Sequence, residues 1–293
     1  MANIAFLGTG LLGAAFAEAA AQRGDTVTVW NRSADKARAL TGFGIRVAST
    51  PAEAVGGATR VHLVLKDDAV VDEVIVAAGA GLSAEAVLID HSTTLPALTA
   101  ERAQRLAAAG LKYLHCPVFM TPAAARNAQG SMLAAGPAAV FDIVKDELAK
   151  MTGRLEYQGE RSDLAAVNKL LGNALIISLS AATADVLTLA QASGVDGEAA
   201  IRLFGLLDLN AIVATRGANM ARGRFAPSFE LAMARKDLGL MLATAGGRPL
   251  AVLPGVADRM DRLLAAGHGA DDFTVLAIDA LAGRAKGDEH GAA

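Results

Sequence analysis

In the first half of the chain, short apolar runs alternate with stretches of helical periodicity. Asn3-Ile-Ala-Phe-Leu7 reads as a buried strand, and a helical pattern follows through Gln22. Thr26-Val-Thr-Val-Trp30 reads as a second strand. A helix from about Ala34 to Gly42 and a short strand, Ile45-Arg-Val47, come next. Thr50-Pro51 then opens another helix, with Thr as N-cap and Pro at the first helical position. Val61-His-Leu-Val-Leu65 and Ala86-Val-Leu-Ile-Asp90 read as fully buried parallel strands. A helix follows through Ala109, with Lys112–His115 and Met132–Ala135 as later strands. This alternation predicts an α/β fold, a doubly wound sheet with right-handed crossovers and ligands at the carboxyl ends of its strands.

The pattern changes near Gly159. Ser162-Asp163 begins a long helical stretch that ends near Gly194. Beyond it only helices are legible, over about 197–206, 211–221, 228–245, 249–266 and 272–284, and the polar residues Ala285 to Ala293 are expected to fray. The expected organisation is a nucleotide-binding domain over 1–161, then a long interdomain helix leading an all-α domain over 162–293.

The turn after the first strand narrows the ligand. Gly8-Thr-Gly10-Leu-Leu-Gly13 lies between strand and helix in a unit of about 30 residues, the context that gives GxGxxG its meaning as a Rossmann-type dinucleotide turn. Gly8 permits the tight turn, Gly10 lets backbone approach a pyrophosphate, and Gly13 lets the helix pack closely on the sheet. Leu11 and Leu12 bring the amides and positive dipole end of the helix to the phosphates. The second strand ends in Asn31-Arg32-Ser33, not in the Asp or Glu that receives a ribose 2′-OH. A carboxylate would repel a 2′-phosphate, whereas a guanidinium stacks on adenine and pairs with the phosphate. NADP(H), with NADPH preferred over NADH, is the expected cofactor; a solvated Arg32 beside an NAD site without its acid is the other reading.

Bulk properties leave this picture standing. The 293 residues suffice for two domains, and 53% hydrophobic with only 4% aromatic residues points to a core of Ala, Leu and Val. A net charge of −3 offers no basic field for nucleic acid or an anionic membrane. The N-terminus lacks the basic segment of a signal peptide, and no uncharged apolar run stands out as a membrane span. The apolar stretch around 170–192 carries Lys169 and Asp185, and its Ala/Ser content suits a buried helix. The lone Cys116 forms no intrachain disulfide, so a cytoplasmic setting is expected, with Cys116 read as a buried structural thiol. His91 borders the expected cofactor site and His115 follows a strand, but neither belongs to a ligand-spaced cluster, so no metal is expected.

Lys169-Leu-Leu-Gly-Asn173 places a cation and an amide one helical turn apart, among Leu164, Val167, Leu170, Leu171, Leu175 and Ile176. A lysine there must snorkel, pair or do chemistry. With this pair in place, the chain resembles the β-hydroxyacid dehydrogenase family, of the 3-hydroxyisobutyrate dehydrogenase and glyoxylate/succinic semialdehyde reductase type, over almost its whole length. The resemblance is carried by Gly8-Thr-Gly10-Leu-Leu-Gly13, Asp90-His-Ser-Thr-Thr-Leu-Pro96, Cys116-Pro-Val118, Leu133-Ala-Ala-Gly136, Lys169-x-x-x-Asn173 and Lys236-Asp237-Leu238, in this order and spacing. It implies a C-terminal domain like that of 6-phosphogluconate dehydrogenase. It also implies that Lys169 exchanges a proton with the substrate oxygen while the cofactor exchanges hydride with its carbon. Asn173 would hold that oxygen. Ser92 and Thr93 would lie near the nicotinamide, a role compatible with turn chemistry. Leu65 and Lys66 would line the cofactor, with Lys66 a departure that reads as solvated. Lys236 would reach the cofactor and Asp237 support the active site, against a plain surface pair. Phe229 would be a pocket aromatic or core filler.

Two departures bear on the substrate. Where the family has Ser-Gly-Gly or Ser-Gly-Ser to bind a carboxylate, this chain has Phe119-Met120-Thr121-Pro122. Bulk replaces hydroxyl and glycine, and proline has no N–H, though Thr121 could supply a hydroxyl. A larger or less polar carbonyl substrate follows. The approach to the long helix is Glu160-Arg161-Ser162-Asp163-Leu164 in place of a glycine-rich segment. The leading expectation is an NADPH-dependent reductase of an aldehyde or keto acid, or the reverse dehydrogenase. The alternatives are an imine reductase of the same architecture, against which Lys169 stands, and a non-catalytic NADP(H)-binding module. The apolar long helix and the Ala/Leu/Met-rich helical domain suggest a homodimer, or a pair of them as a tetramer.

Overall fold

The computed structural model describes residues 2–281. By its internal contacts the chain divides into two compact units, meeting at Asn173/Ala174 inside the long helix.

The first unit opens with strand β1 (Asn3–Leu7), helix α1 (Leu11–Gln22), β2 (Thr26–Trp30), a short α2 (Ala34–Arg38), β3 (Arg46–Val47), α3 (Pro51–Val55) and β4 (Arg60–Leu63). Then come α4 (Asp68–Ala78), β5 (Val87–Asp90), α5 (Pro96–Ala108) and β6 (Lys112–His115). The strands lie in the order β3-β2-β1-β4-β5-β6, all parallel. The order therefore reverses between β1 and β4, and the loops leaving these two strands flank the crevice where a doubly wound sheet binds its ligand. Alternate residues serve opposite faces. Ile4 and Phe6 enter one cluster with Phe16, Val29 and Ile89, while Ala5 and Leu7 enter another with Leu63, Val71 and Val74. Burial on both faces explains why these strands read as unbroken apolar runs. The helix expected over Ala34–Gly42 is two pieces, because after α2 the chain tightens into a 3₁₀ turn, Thr41–Phe43, closed by Gly44 at φ +73°.

The sheet continues differently past β6. A two-residue β7 (Val118–Phe119), α6 (Pro122–Arg126), β8 (Ser131–Ala135), α7 (Ala138–Ala149) and β9 (Arg154–Gly159) complete the unit. β8 runs antiparallel to β6 and β7, and β9 pairs parallel with β8. α4, β7, α6, α7 and β9 have no counterpart in the sequence reading: β7 is too short to show a period, and half-buried Arg-Leu-Glu-Tyr-Gln-Gly looks like loop.

The second unit contains most of α8 (Leu164–Ala192), then α9 (Gly197–Arg202), α10 (Leu209–Arg222), α11 (Leu231–Ala245) and α12 (Leu253–Ala265). Residues 273–281 form 3₁₀ turns where a helix over 272–284 was expected, and 282–284, like the tail, lie outside the described residues. Leu231, Leu238, Met260, Leu263 and Val275 form its small core. Asp185, expected only to interrupt an apolar helix, is 2% exposed and accepts the backbone N–H of Ala251, Val252 and Leu253. Burial alone would push its carboxyl up, but the amides of Leu253, Ala251 and Val252 outweigh burial and hold it below the usual range. The carboxylate thereby serves the open end of α12.

The expectation that α8 is buried is corrected here. Leu171, Leu175, Ile176, Ile177 and Leu179 are 64, 55, 52, 67 and 52% exposed. The helix is long and apolar enough to cross a membrane by length and composition. The buried, triply bonded Asp185 ties its distal half to α12 instead.

Candidate active site

A cleft of about 490 Å³ opens at the β1/β4 switch point, within the usual size of a cofactor site. Its floor is the glycine turn. Gly8 has φ +102°, and a Cβ there would stand 2.3 Å from the Val64 carbonyl oxygen. A Cβ on Gly13 would stand 2.0 Å from the Gly8 oxygen, so α1 approaches the loop only because residue 13 has no side chain. Gly10 differs: no described atom lies within 4 Å of where its Cβ would be, and that space faces the cleft. α1 starts there without a side-chain cap among the described residues, so the amides of its first turn, at Leu11 and Leu12, stay available for an anion. An open cradle beside uncapped amides fits a dinucleotide pyrophosphate.

Asn31 and Arg32 form the far wall with Trp30. Asn31 Oδ1 accepts the Thr9 N–H at 3.0 Å and its Nδ2 donates to the Ser33 carbonyl at 2.9 Å. It thus braces the glycine loop where a ribose-binding acid would otherwise stand. Ser33 begins α2, makes no capping bond through its hydroxyl, and is not in the cleft wall. Arg32 pairs with Glu73 of α4 at 2.8 Å, both side chains about two-thirds exposed. Such a pair between exposed side chains is weak. Glu73 was not anticipated, since nothing local links residues 41 apart.

Leu65, Lys66, Ser92 and Thr93 close the near side. Lys66 is 87% exposed and rests 3.5 Å from Asp67, the solvated reading. Ser92, only 2% exposed, donates its own N–H to Asp90 and accepts the Leu65 N–H at Oγ, 3.0 Å away. It ties the end of β5 to the end of β4, while Thr93 is exposed toward the cleft. Below them, Arg102 of α5 is fully buried with Asp68 and Asp72 at 2.8 and 2.7 Å. Burial opposes its charge, but bonds to Asp72 and Asp68 prevail and raise its pKa. Asp68 in turn accepts the Leu95 N–H, so this cluster holds the loop from both ends.

His91 also lines the cleft. Its Nδ1 lies 2.7 Å from the Cys116 carbonyl oxygen, which makes Nδ1–H the donor and leaves Nε2 to accept from His62 Nδ1 at 2.9 Å. The rings stack in the order Phe6, His62, His91. Burial pushes both imidazoles down, His91 to about 4, so the pair is neutral near pH 7. Cys116 is fully buried and burial raises its thiol, the structural role expected of it.

Lys169 lies in the same unit, on the first turns of α8. Its Nζ donates to the Val118 carbonyl at 2.7 Å and stands 4.2 Å from the centroid of the Phe119 ring. Cys116, two residues before Val118, donates its N–H to Asp90, which places this segment beside the Ser92 loop at the carboxyl edge of the sheet. Burial lowers the Lys169 pKa. Asn173, one turn on, is half-buried. Met120 is half-buried after β7, and Thr121 Oγ1 accepts the Ala124 N–H to cap α6. The Thr121 hydroxyl expected to meet substrate is therefore engaged as an acceptor.

The helical unit holds the remaining candidates. Lys236 and Asp237 of α11 pair at 2.7 Å on the surface, closer than adjacent helical residues usually manage. Phe229, 37% exposed, packs edge-on against Phe273 at 5.7 Å and donates its N–H to Asp272. Asp272 is buried, yet bonds from Ser228 and Thr274 hold its carboxyl far below the usual range.

Two family models match the chain. The NAD-binding domain of 6-phosphogluconate dehydrogenase covers residues 3–159, and the NAD-binding region of NADP-dependent 3-hydroxyisobutyrate dehydrogenase covers residues 164–278. The chain is similar to 3-sulfolactaldehyde reductase of Escherichia coli, 29% identical over 94% of this chain and 95% of that protein. It is similar to the cytokine-like nuclear factor N-PAC of Xenopus tropicalis, 28% identical over 82% of this chain, but spans only 46% of that protein's length. Among solved structures, an imine reductase of Streptomyces aurantiacus aligns with a TM-score of 0.86 at 26% identity, over 95% of this chain and 99% of that one.

Proposed function

This chain belongs to the β-hydroxyacid dehydrogenase family of NAD(P)-dependent oxidoreductases, and we propose that it reduces the carbonyl of a small molecule, or oxidises the corresponding alcohol, with NADP(H). One observation carries the reading: a half-buried lysine whose ammonium is held on the Val118 carbonyl, at the carboxyl edge of a sheet whose switch point is an open glycine cradle. A bound nicotinamide cofactor would supply or accept the hydride. Lys169 holds a proton at Nζ and passes it to the oxygen of the reduced carbonyl; in reverse it takes the proton from the hydroxyl. Release from Val118 leaves Nζ free to turn toward that oxygen. Asn173 offers an amide one turn along, and buried Ser92 keeps the loop bearing Thr93 in place. Neutral His91 would present no charge to a cofactor in the cleft it lines. We infer that the enzyme works in the cytoplasm, where a free thiol such as Cys116 stays reduced. The reading is tested by following NADPH oxidation against aldehydes, semialdehydes, glyoxylate and a cyclic imine. Turnover of the imine with none of any carbonyl would favour the imine reductase reading, which the likeness to the Streptomyces aurantiacus enzyme supports.

NADP over NAD rests on Arg32. Its guanidinium exchanges Glu73 for a 2′-phosphate, and no carboxylate at position 31 opposes it. Arg32→Ala is expected to raise the KM for NADPH about ten- to a hundredfold, the loss of one charge-assisted bond, and to leave that for NADH nearly unchanged. An equal loss with both cofactors would show that Arg32 does not read the phosphate.

The exposed apolar side of α8 is proposed to pack against a second copy of the chain. Leu175, Ile176, Ile177 and Leu179 lie within five residues, more apolar surface than an isolated helix leaves in water. Light scattering after size exclusion is expected to give a dimer or tetramer, and Ile177→Glu a smaller species. A monomer at micromolar concentration without detergent would refute this; insolubility relieved only by detergent would point to lipid.

A further inference from the structure

The segment from Val118 to Pro122 offers little to an anion. Phe119 is held by pairing of β7 with β8, opposite Ser131. Its ring lies against α8 at Gly172. A Cβ on Gly172 would stand 2.3 Å from Phe119 Cζ and 2.7 Å from Cε1. Gly172 is three residues past Lys169, on the same side of the helix. The absent side chain thus makes a notch for the ring, and the ring in the notch covers the ammonium at 4.2 Å. The side chains of this segment offer a carboxylate little: residue 119 has no hydroxyl, Pro122 has no N–H, and the Thr121 hydroxyl, whose oxygen accepts the Ala124 N–H at the start of α6, is its one side-chain donor. The π face of the ring is itself electronegative and repels an anion laid on it. Lys169 brings a cation to this end of the site, but its proton is needed at the carbonyl oxygen.

We propose that Phe119, seated in the Gly172 notch over Lys169, is a specificity-determining residue that excludes acids and selects uncharged carbonyl compounds whose apolar substituent packs against its ring. This rests on the oxidoreductase reading above and adds the substrate class: neutral aldehydes, ketones or keto esters, not small keto acids or semialdehyde acids. No new chemical step is involved. A bound NADPH would supply hydride to the carbonyl carbon, leaving NADP⁺, and Lys169 Nζ gives its proton to the carbonyl oxygen.

Matched pairs differing only in charge test it: glyoxylate against methyl glyoxylate, and succinic semialdehyde against its methyl ester, with NADPH and the full-length enzyme. The ester is expected to exceed the acid in kcat/KM by about tenfold or more in the wild type, the cost of facing a charged group with an unmatched wall. Phe119→Ser should lower or invert that ratio, while Phe119→Leu, which stays apolar, should keep it. NADPH binding and Tm, measured for each variant, show that the fold and cofactor site persist. A wild type that prefers the acids, or a ratio unmoved by Phe119→Ser, overturns the proposal. If nothing is turned over although NADPH binds, the oxidoreductase reading fails, and the pocket is read separately from quenching of bound NADPH fluorescence by 3-hydroxyisobutyrate and its methyl ester. Tighter binding of the ester, reversed by Phe119→Ser, supports the selectivity; absence of a difference overturns it.

Discussion

Lys169→Met is expected to lower carbonyl reduction by about 10²- to 10⁴-fold while the protein still binds NADPH, the loss usual for a general acid removed from its place. Methionine preserves the apolar stem against Phe119 and deletes the proton and the bond to Val118. The pH profile separates proton transfer from simple positioning. Burial lowers the Lys169 pKa, so its loss of a proton comes at lower pH than for a solvated lysine. Reduction uses the protonated amine and is expected to fall as pH rises through that pKa; alcohol oxidation uses the neutral amine and is expected to rise over the same interval. Both limbs should vanish in Lys169→Met. Retention of turnover within tenfold would pass the proton to another donor, with Asn173 kept only as an orienting amide.

The second large effect contrasts two glycines of one loop. Gly13→Ala puts a methyl 2.0 Å from the Gly8 carbonyl oxygen. Backbone cannot yield there as a side-chain tip would, so α1 must withdraw from the sheet. A destabilisation of about 1–3 kcal/mol or more, seen as a lower Tm in the apo protein, is expected. Gly10→Ala meets no described atom and sits at φ −66°, which alanine accepts without strain. Its Tm should match the wild type. Its methyl projects into the cradle, however, so NADPH affinity is expected to collapse. Wild-type NADPH binding by Gly10→Ala would mean that the cleft is not the phosphate site. An unchanged Tm for Gly13→Ala would mean that the helix does not need this approach.

Legibility followed sequence separation. Asn3–Leu7, Gly8–Gly13 and Thr26–Trp30 were readable because strand, turn and helix each write their period within a few adjacent residues. The cleft is made from the ends of those same elements, and Gly10, Asn31, Arg32, Leu65 and Thr93 line it. β7 and β9 were not readable: one is two residues long, and the other is only partly buried, so neither carries an alternation. The depth of α8 was misjudged for a related reason. An apolar helix states that it needs a partner and not which partner, and within one chain much of its surface finds none.

The residues alone specified a doubly wound nucleotide fold, a phosphate turn and an amine one helical turn from an amide, since each depends on local spacing and chemical type. The meeting of Phe119 with Lys169 and Gly172, the clasp of Glu73 on Arg32, the stacked His62 and His91 and the seat of Asp185 beneath α12 belong to the folded chain. Each joins positions tens of residues apart, and no short-range pattern of polarity encodes where the backbone will bring them together.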